Sequence, residues 1–474
     1  MITNRRKSER GFSFWEGNLE RVCIFGTGKK YEAWKSDFRT DIEIIGLFDN
    51  DPQKWGKCLD GIEIYSPKEL LNFNYDWIYI LCDKYFEIRR QLSDLGISEE
   101  VVYDVTRKEK ILNKEEVRHY GKYNKKNDKH KRVLVVSNTL NLTGAPIALL
   151  GMVTALVEND CSVRVYSAED GELRANFVAL GTDVFVSKDI VSHDETWREL
   201  VNWADNVLIN TLPMYYLIDE FLKSQKKIIW WIHEFPLERW IDKYTYGRIE
   251  KSENVKIYGV SSRVKKLFEQ SVDAEKMNIL LLGVEDRKGM LKSHSLLNVG
   301  LIGYLSDEIK GIDVFADGIL KVNESEEESV WFSLVGSGEL SDNVRQKLQR
   351  TKNVTVKGEV PKEHMDDIYD SLDVVVCASR MDSLSMVIIE ALMHEKLVIV
   401  SSAAGISEYI TNGVNGFVFE SENVGALKDD ILWVLNNREK AKIIASNGRK
   451  LYEERFTIDE FENRVCKVLE EWVV

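Results

Sequence analysis

Short runs rich in valine and isoleucine, each followed by a segment with helical spacing, recur along this chain. An unbroken apolar run fits a strand buried on both faces, and its alternation with helices is the signature of parallel sheets covered by helices. The runs fall into three sets. The first is RVCIFG (21–26), IEIIGLFD (42–49), DWIYILC (76–82) and EVVYDV (100–105). The second starts at RVLVVS (132–137) and continues through SVRVYSA, DVFVS, NVLINT, KIIWWIHE, VKIYGVSS and MNILLLGV. The third comprises LNVGLIGYL, VWFSLVG, NVTVKG, LDVVVCAS, KLVIVSS and GFVFE.

The predicted fold class is therefore α/β: two successive doubly wound, Rossmann-like domains with a cleft between the carboxyl ends of their strands, preceded by a smaller Rossmann-like α/β unit. The expected boundaries are 1–120 for the N-terminal unit, 121–131 for a basic linker, and 132–295 and 296–474 for the two larger domains. The amphipathic last segment, TIDEFENRVCKVLEEWVV, is expected to pack on a domain surface, the preceding domain being one option. Between the first two sets, the tract from Arg107 to Arg132 dilutes the apolar content and accumulates lysines. It reads first as a solvated linker, with a docking patch for acidic lipid or a protein partner as the alternative.

A net charge of −14 argues against a general nucleic-acid binder, because phosphate contacts need a concentrated basic surface. The six cysteines are dispersed, with no CxxC pair and no His/Cys cluster at ligand spacing, so neither a disulfide framework nor a structural metal site is indicated. They read as small core residues in a reducing compartment. No apolar run reaches the roughly 18 residues of a membrane span, and none follows the basic start. The expectation is a soluble cytoplasmic protein, with peripheral attachment at the inner face of a membrane left open.

Three strand-to-helix turns carry candidate chemistry. In SNTLNLTGAPIALLGMVTAL a strand ends at Ser137, and Gly144-Ala145-Pro146 opens a helix. Proline suits the first helical turn, and the free amides there favour anions. In GLIGYLSDEIKGIDVFADGI, Gly303 ends a strand and Lys310-Gly311 begins a helix, where an ammonium can meet a diphosphate. The third turn is RMDSLSMVIIEALMHEKLVIVSS (380–402). Asp382 lies in its polar loop, Ser385 is a good N-cap, and Glu390 is the lone carboxylate within an apolar helix. A buried carboxylate without partners costs several kcal/mol, and hydroxyls flanking a bound diphosphate are one set of partners it can accept from. A capping aspartate and a solvent-reaching glutamate are the structural alternative.

The run from Asp382 to Glu390, with KLVIVSSAAGISEYITNGVNGFVF after it, resembles the acidic-x7-Glu motif of family-four retaining glycosyltransferases, which have the GT-B fold. LTGAPIALL, WWIHEFP, YGVSSRVKKLF, LLLGVE, IKGIDVF, SLVGSGEL and VTVKGEVPKEHMDDIYDSLDVVVCAS match in family order and extend the resemblance over residues 132 to about 470. The resemblance implies a nucleoside-diphosphate sugar as donor, with no further cofactor and no metal, and a glycan, lipid-linked or protein acceptor. By residue, it implies that Glu390 binds the donor ribose, Asp382 and His233 meet the transferred sugar, and Lys310 contacts the diphosphate. The amides of Leu384 and Ser385 would receive diphosphate oxygens, while Gly144 and Gly303 line the donor. His233 by itself also fits a hydrogen-bonded structural histidine. The chain departs from the family in having Tyr304 where an arginine often accompanies the lysine, with Arg263 and Arg380 as candidate substitutes.

In the first set, CIFGTGKKYEAW offers Gly26 and Gly28 of a dinucleotide fingerprint but Tyr31 where the third glycine belongs, with Asp49 further on as a ribose acceptor. An assembly or acceptor-docking domain is the favoured reading over dinucleotide binding. For the whole chain the expectation is a retaining glycosyltransferase in surface polysaccharide or glycoprotein glycan assembly. The alternative is a noncatalytic relative that stabilises or targets an active enzyme. Oligomer formation is left open.

Overall fold

The computed structural model describes residues 19–82, 84–98, 101–104, 111–112, 116–121, 131–187, 195–234, 249, 252–272, 277–289, 294–326 and 328–472. The chain divides into two compact units, Met1–Glu115 and Glu116–Val474. Most of the lysine-rich tract at 107–132, and with it the docking role considered for that tract, lies outside the described residues.

The first unit is one sheet of β1 (Glu20–Phe25), β2 (Ile42–Phe48), β3 (Cys58–Leu59), β4 (Ile62–Tyr65), β5 (Trp77–Ile80) and β6 (Val102–Asp104). Their order is β3-β4-β2-β1-β5-β6, parallel except for the β3–β4 pair. Two adjacent interior strands are the most deeply buried: Val22, Cys23 and Ile24 on β1 and Ile78, Tyr79 and Ile80 on β5 have no exposed surface.

The second unit holds two sheets. The middle domain is built on β7 (Arg118–Tyr120), β8 (Lys131–Ser137), β9 (Cys161–Ser167), β10 (Asp183–Val186), β11 (Asn206–Asn210), β12 (Lys227–Ile232), β13 (Val255–Gly259) and β14 (Met277–Ile279). Their order is β14-β13-β12-β11-β8-β9-β10-β7, and β7 alone among them is antiparallel, pairing Tyr120 with Val184. Residues 118–120, expected to end the N-terminal unit, thus edge the next sheet. A three-residue edge strand, RHY, has no apolar run to announce it. The C-terminal domain has β15 (Leu297–Ile302), β16 (Val330–Val335), β17 (Val354–Lys357), β18 (Val374–Cys377), β19 (Leu397–Ser401) and β20 (Phe417–Phe419), all parallel, in the order β17-β16-β15-β18-β19-β20.

Strand order reverses between β8 and β11 and again between β15 and β18. Helices leave in opposite directions at such points, opening a crevice outside the carboxyl ends of the strands where ligands bind in open α/β sheets. Both sheets are covered on their two faces: Val133 to Val136 and Val374 and Val375 are wholly buried.

The last helix, Ile458–Trp472, packs back on the middle domain. Its Phe461 ring stacks on Trp231 at 5.8 Å. A β-carbon added at Gly151, on helix Gly144–Glu158, would lie 3.3 Å from the same ring. The cysteine expectation holds for Cys23, Cys161 and Cys377, which are buried; Cys82 and Cys466 are only partly buried, and Cys58, on a two-residue edge strand, is exposed. Among the described residues no helix is long and apolar enough to cross a membrane.

Candidate functional site

The turn after β18 organises the site. Asp382 forms a single parallel bridge with Ala404, and Gly405 N–H donates to the Asp382 carbonyl at 2.8 Å. The chain then turns through Ser385 at φ +70° before helix Met386–Met393 begins. Ser385 therefore holds the N-cap position without the capping role expected of it. In this left-handed conformation its hydroxyl points to Cys377 Sγ at 3.8 Å rather than to the helix amides. The N–H groups of Leu384, Ser385, Met386 and Val387 consequently make no hydrogen bond among the described residues. A row of free amides at a helix start is an anion-binding feature.

Lys310 comes to the same place from helix Asp307–Lys310, and its Nζ donates to Asp382 Oδ2 at 2.7 Å. Burial works against the charge on Lys310, yet the adjacent Asp382 carboxylate outweighs it and the ammonium's pKa stands above its ordinary value. Lys310 and Asp382 were expected to meet different ends of a ligand; they also hold each other. An ammonium has three donors, so two remain for a ligand. Gly303, with φ +139°, ends β15 facing open space, and Gly336 crosses so close that a β-carbon there would lie 1.8 Å from the Gly303 carbonyl.

Glu390 departs from its expected isolation. Tyr369 O–H donates to its Oε2 at 2.6 Å, and Arg287 Nη2 stands 3.5 Å from Oε1. The protein itself supplies partners for the acid in the apolar helix, so ligand hydroxyls are not required to make it tolerable. It is still 21% exposed, with acceptor capacity left over. Burial, then the Glu390 charge, push the Tyr369 phenol well above its ordinary pKa. Behind it Tyr369 stacks on His394 at 5.0 Å, and the two His394 nitrogens face Asp370 and Asp366 at 3.2 Å each.

From the middle domain, Gly144 opens helix Gly144–Glu158, and a β-carbon added to it would stand 3.6 Å from Met386 Sδ. The turns at the two strand-order reversals thus meet. His233 lies at the end of β12, buried against Trp231 with ring centroids 4.4 Å apart, and its Nε2 faces Asn210 Oδ1 at 2.9 Å. Burial pushes its pKa down to about 3, so the ring is neutral. Next to it, Glu234 Oε2 accepts from Leu212 N–H at 2.8 Å and from His233 N–H at 3.2 Å. Burial pushes this carboxyl up to about 7, against the amides that favour its charge.

Neither candidate substitute for the missing arginine is unengaged. Arg380 forks onto Asp313 at 2.7 and 2.8 Å and reaches Glu422 at 2.5 Å. Arg263 Nη1 donates to the Ser402 carbonyl at 3.2 Å. Tyr304 is 60% exposed. Residues that the sequence did not single out are Arg287, Tyr369, Ser261, Asn210 and Glu234. They reach the site through tertiary packing, and only Glu234, directly after the strand-end histidine, had a local signal. In the first unit, Asp49 Oδ2 accepts from Thr27 N–H (3.2 Å), Thr27 Oγ (2.5 Å) and Lys54 Nζ (2.7 Å), while the buried Tyr31 ring packs edge-on to Phe38. The carboxylate considered for a ribose is engaged internally.

Comparison with known proteins agrees with this fold. Residues 285–451 match the family "Glycosyl transferases group 1", residues 129–275 match "Glycosyl-transferase family 4", and residues 18–103 match "C2185-like, N-terminal". An uncharacterised glycosyltransferase of Methanocaldococcus jannaschii is 25% identical over 218 residues, 46% of this chain and 59% of that protein. The capsular polysaccharide biosynthesis glycosyltransferase CapM of Staphylococcus aureus is 29% identical over 174 residues, 35% of this chain and 45% of CapM. The matched region therefore spans only about half the length of these relatives. Among solved structures, HepE of Anabaena in complex with UDP superposes with a TM-score of 0.63 at 16% identity, covering 72% of this chain and all of HepE. A glycosyltransferase from Rickettsia africae gives 0.60 at 16% identity, over 72% of this chain and 99% of that one. At such identity the likeness establishes the fold, which is GT-B. Fold and family matches together support a glycosyltransferase of that architecture.

Proposed function

We propose that this chain is a retaining glycosyltransferase of hexosyltransferase type that moves a sugar from a nucleoside-diphosphate donor to an acceptor hydroxyl. The observation that carries this reading is the convergence of Lys310, Asp382 and four amides that make no hydrogen bond among the described residues, at the start of helix Met386–Met393 beside Gly144 of the other domain. Negative charge develops on the diphosphate as the bond to the sugar breaks. Fixed amides and the two unused Lys310 donors stabilise that charge more in the transition state than in the ground state. Positive character grows on the sugar, where the Asp382 carboxylate lies.

Neutral His233 takes no proton at neutral pH; with its Nε2 held against Asn210 Oδ1, its proposed part is that of a fixed dipole. In this reading Asp382, held by Lys310, stabilises charge rather than acting as a nucleophile, so substitution proceeds on one face, with the leaving phosphate receiving the acceptor proton. Lys310 and the amides fill the role that a divalent cation has in other transferases. Closure of the two domains excludes water from the donor.

CapM carries capsular polysaccharide biosynthesis in its name, and HepE was solved with UDP and with UDP-glucose, so the proposed pathway is surface glycan assembly and UDP is the first nucleotide to try. The test is a thermal-shift panel of UDP, GDP, ADP and their sugars on wild type, Lys310→Ala and Glu390→Ala. A ligand specific to the folded state raises its stability by mass action. Stabilisation of wild type by one nucleotide family, lost in both variants, supports the reading. No response from wild type, together with tight capture of another transferase, replaces it with the noncatalytic alternative.

A further inference from the structure

Ser261, wholly buried, lies between β13 and helix Ser262–Val272 in the middle domain. Its hydroxyl has two jobs. The oxygen accepts from Val264 N–H at 3.2 Å, capping the helix, and the proton goes across the domain boundary to the Ser383 carbonyl at 2.5 Å. That carbonyl belongs to the same peptide unit as the Leu384 N–H. A trans peptide is planar, with its C=O and N–H pointing in opposite directions, so fixing the oxygen on one side aims the N–H at the other.

The junction is tight from a third direction. A β-carbon at Gly405 would stand 2.0 Å from the Ser383 carbonyl oxygen and 3.1 Å from Ser261 Oγ. Because Gly405 N–H also holds the Asp382 carbonyl, two successive peptide planes of the loop are pinned, one from within the C-terminal domain and one from the middle domain. Around the same helix start, Arg263 reaches the Ser402 carbonyl and Ser262 Oγ lies 3.4 Å from the Tyr409 hydroxyl.

We propose that Ser261 is a positioning residue through which the middle domain orients the Leu384 amide, so that the anion site binds a nucleoside diphosphate at full strength only while the first turn of helix Ser262–Val272 is docked on the C-terminal domain. This rests on the donor site proposed above. It makes docking of the domains a condition of diphosphate affinity: undocking frees the Ser383 carbonyl, the peptide rotates, and Leu384 N–H leaves the anion.

The test is calorimetric titration of UDP into the full chain as wild type, Ser261→Ala, Ser261→Thr, Gly405→Ala and Ser341→Ala. Ser341 caps helix Asp342–Gln349 by accepting from Val344 N–H, far from the junction in sequence, and controls for loss of a cap alone. The expected result is about a tenfold loss of UDP affinity in Ser261→Ala, which corresponds to about 1.4 kcal/mol. Recovery to within about threefold in Ser261→Thr follows, because the hydroxyl is retained. Gly405→Ala, which displaces the same carbonyl, should lose affinity too, and Ser341→Ala should not. Unchanged UDP affinity in both Ser261→Ala and Gly405→Ala overturns the proposal, as does an equal loss in Ser341→Ala. Failure of wild type to bind UDP, GDP or ADP overturns the donor-site reading itself, and this inference with it.

Discussion

Replacing Lys310 by methionine removes one cation and exposes an anion, and the two effects separate in a double variant. Asp382 Oδ2 is 2.7 Å from Lys310 Nζ, and the Asp382 side chain is only 9% exposed. A phosphate oxygen on the same ammonium then stands roughly 5 Å from the carboxylate, given hydrogen bonds of about 2.8 Å to each. Two unit charges at that distance repel by about 3 kcal/mol at an effective dielectric of about 20. Lys310 is 29% exposed, so water fills part of the space it leaves, and about half of that repulsion is expected to survive. The lost charge-assisted hydrogen bond adds about 2 kcal/mol. Lys310→Met should therefore weaken UDP about 300-fold, the two terms together making about 3.5 kcal/mol. Adding Asp382→Asn keeps the shape and removes the charge, so Lys310→Met/Asp382→Asn should recover about tenfold of the loss. Calorimetric titration of UDP into wild type, Lys310→Met, Asp382→Asn and the double variant reads all these terms. A double variant that binds UDP no better than Lys310→Met would refute the argument that Asp382 balances Lys310 beside the anion.

Tyr369→Phe keeps the ring stacked on His394 but removes the O–H that fixes Glu390, and UDP affinity measured by titration should fall about fivefold, on the order of 1 kcal/mol. Unfolding followed against pH should carry two opposed contributions from β12's end. His233, with its folded pKa lowered to about 3, binds fewer protons than the unfolded chain below about 6.5, so its contribution to stability is lost as pH falls through that window. Glu234, raised to about 7, holds a proton that the unfolded chain has released above its ordinary value of 4.5, so stability is lost as pH rises toward 7, by about 3 kcal/mol. Glu234→Gln should flatten that second slope alone; an unchanged slope would show that the carboxyl is charged. Phe461→Ala, which empties the space between Trp231 and Gly151, should cost about 3–4 kcal/mol, read as a lower midpoint for inactivation by heat. NAD should leave the melting temperature unmoved, since Asp49 is engaged by Thr27 and Lys54; a clear rise would restore dinucleotide binding to the first unit.

The three sheets were legible because every buried strand is an apolar run, and runs such as VLVV and VVVC have no other stable place in a chain this polar between them. What escaped were elements held by partners rather than pattern. The edge strand Arg118–Tyr120 has no apolar signature, and its pairing with Val184 to Val186 exists only once β10 is in place. In the site, Lys310, Asp382, Gly144 and the helix start could be placed from turn chemistry, and the structure brings them together. The environment of Glu390 could not, because Tyr369 precedes it by 21 residues and Arg287 by 103. Nor could Ser385's left-handed turn be foreseen: serine is a good cap in an extended conformation, and nothing local reports that the loop takes the other one.

The proposed diphosphate site has to work against a net charge of −14. Steering by the field of the whole molecule works against an anion here. Three described cations near the cleft do little to offset that field, because Arg380 is matched by Asp313 and Glu422, Arg287 by Asp366 and Glu390, and Lys310 by Asp382. Attraction must come from short range: amides whose partial charges are oriented rather than summed, and the donors of Lys310 that Asp382 leaves unused. Oriented dipoles gain their strength from being fixed, so the groups that fix them matter as much as the amides themselves. In the proposed site the fixing groups are a glycine of the C-terminal domain and a serine of the middle domain, acting on neighbouring peptides, which would make anion binding depend on both domains although its contacts belong to one.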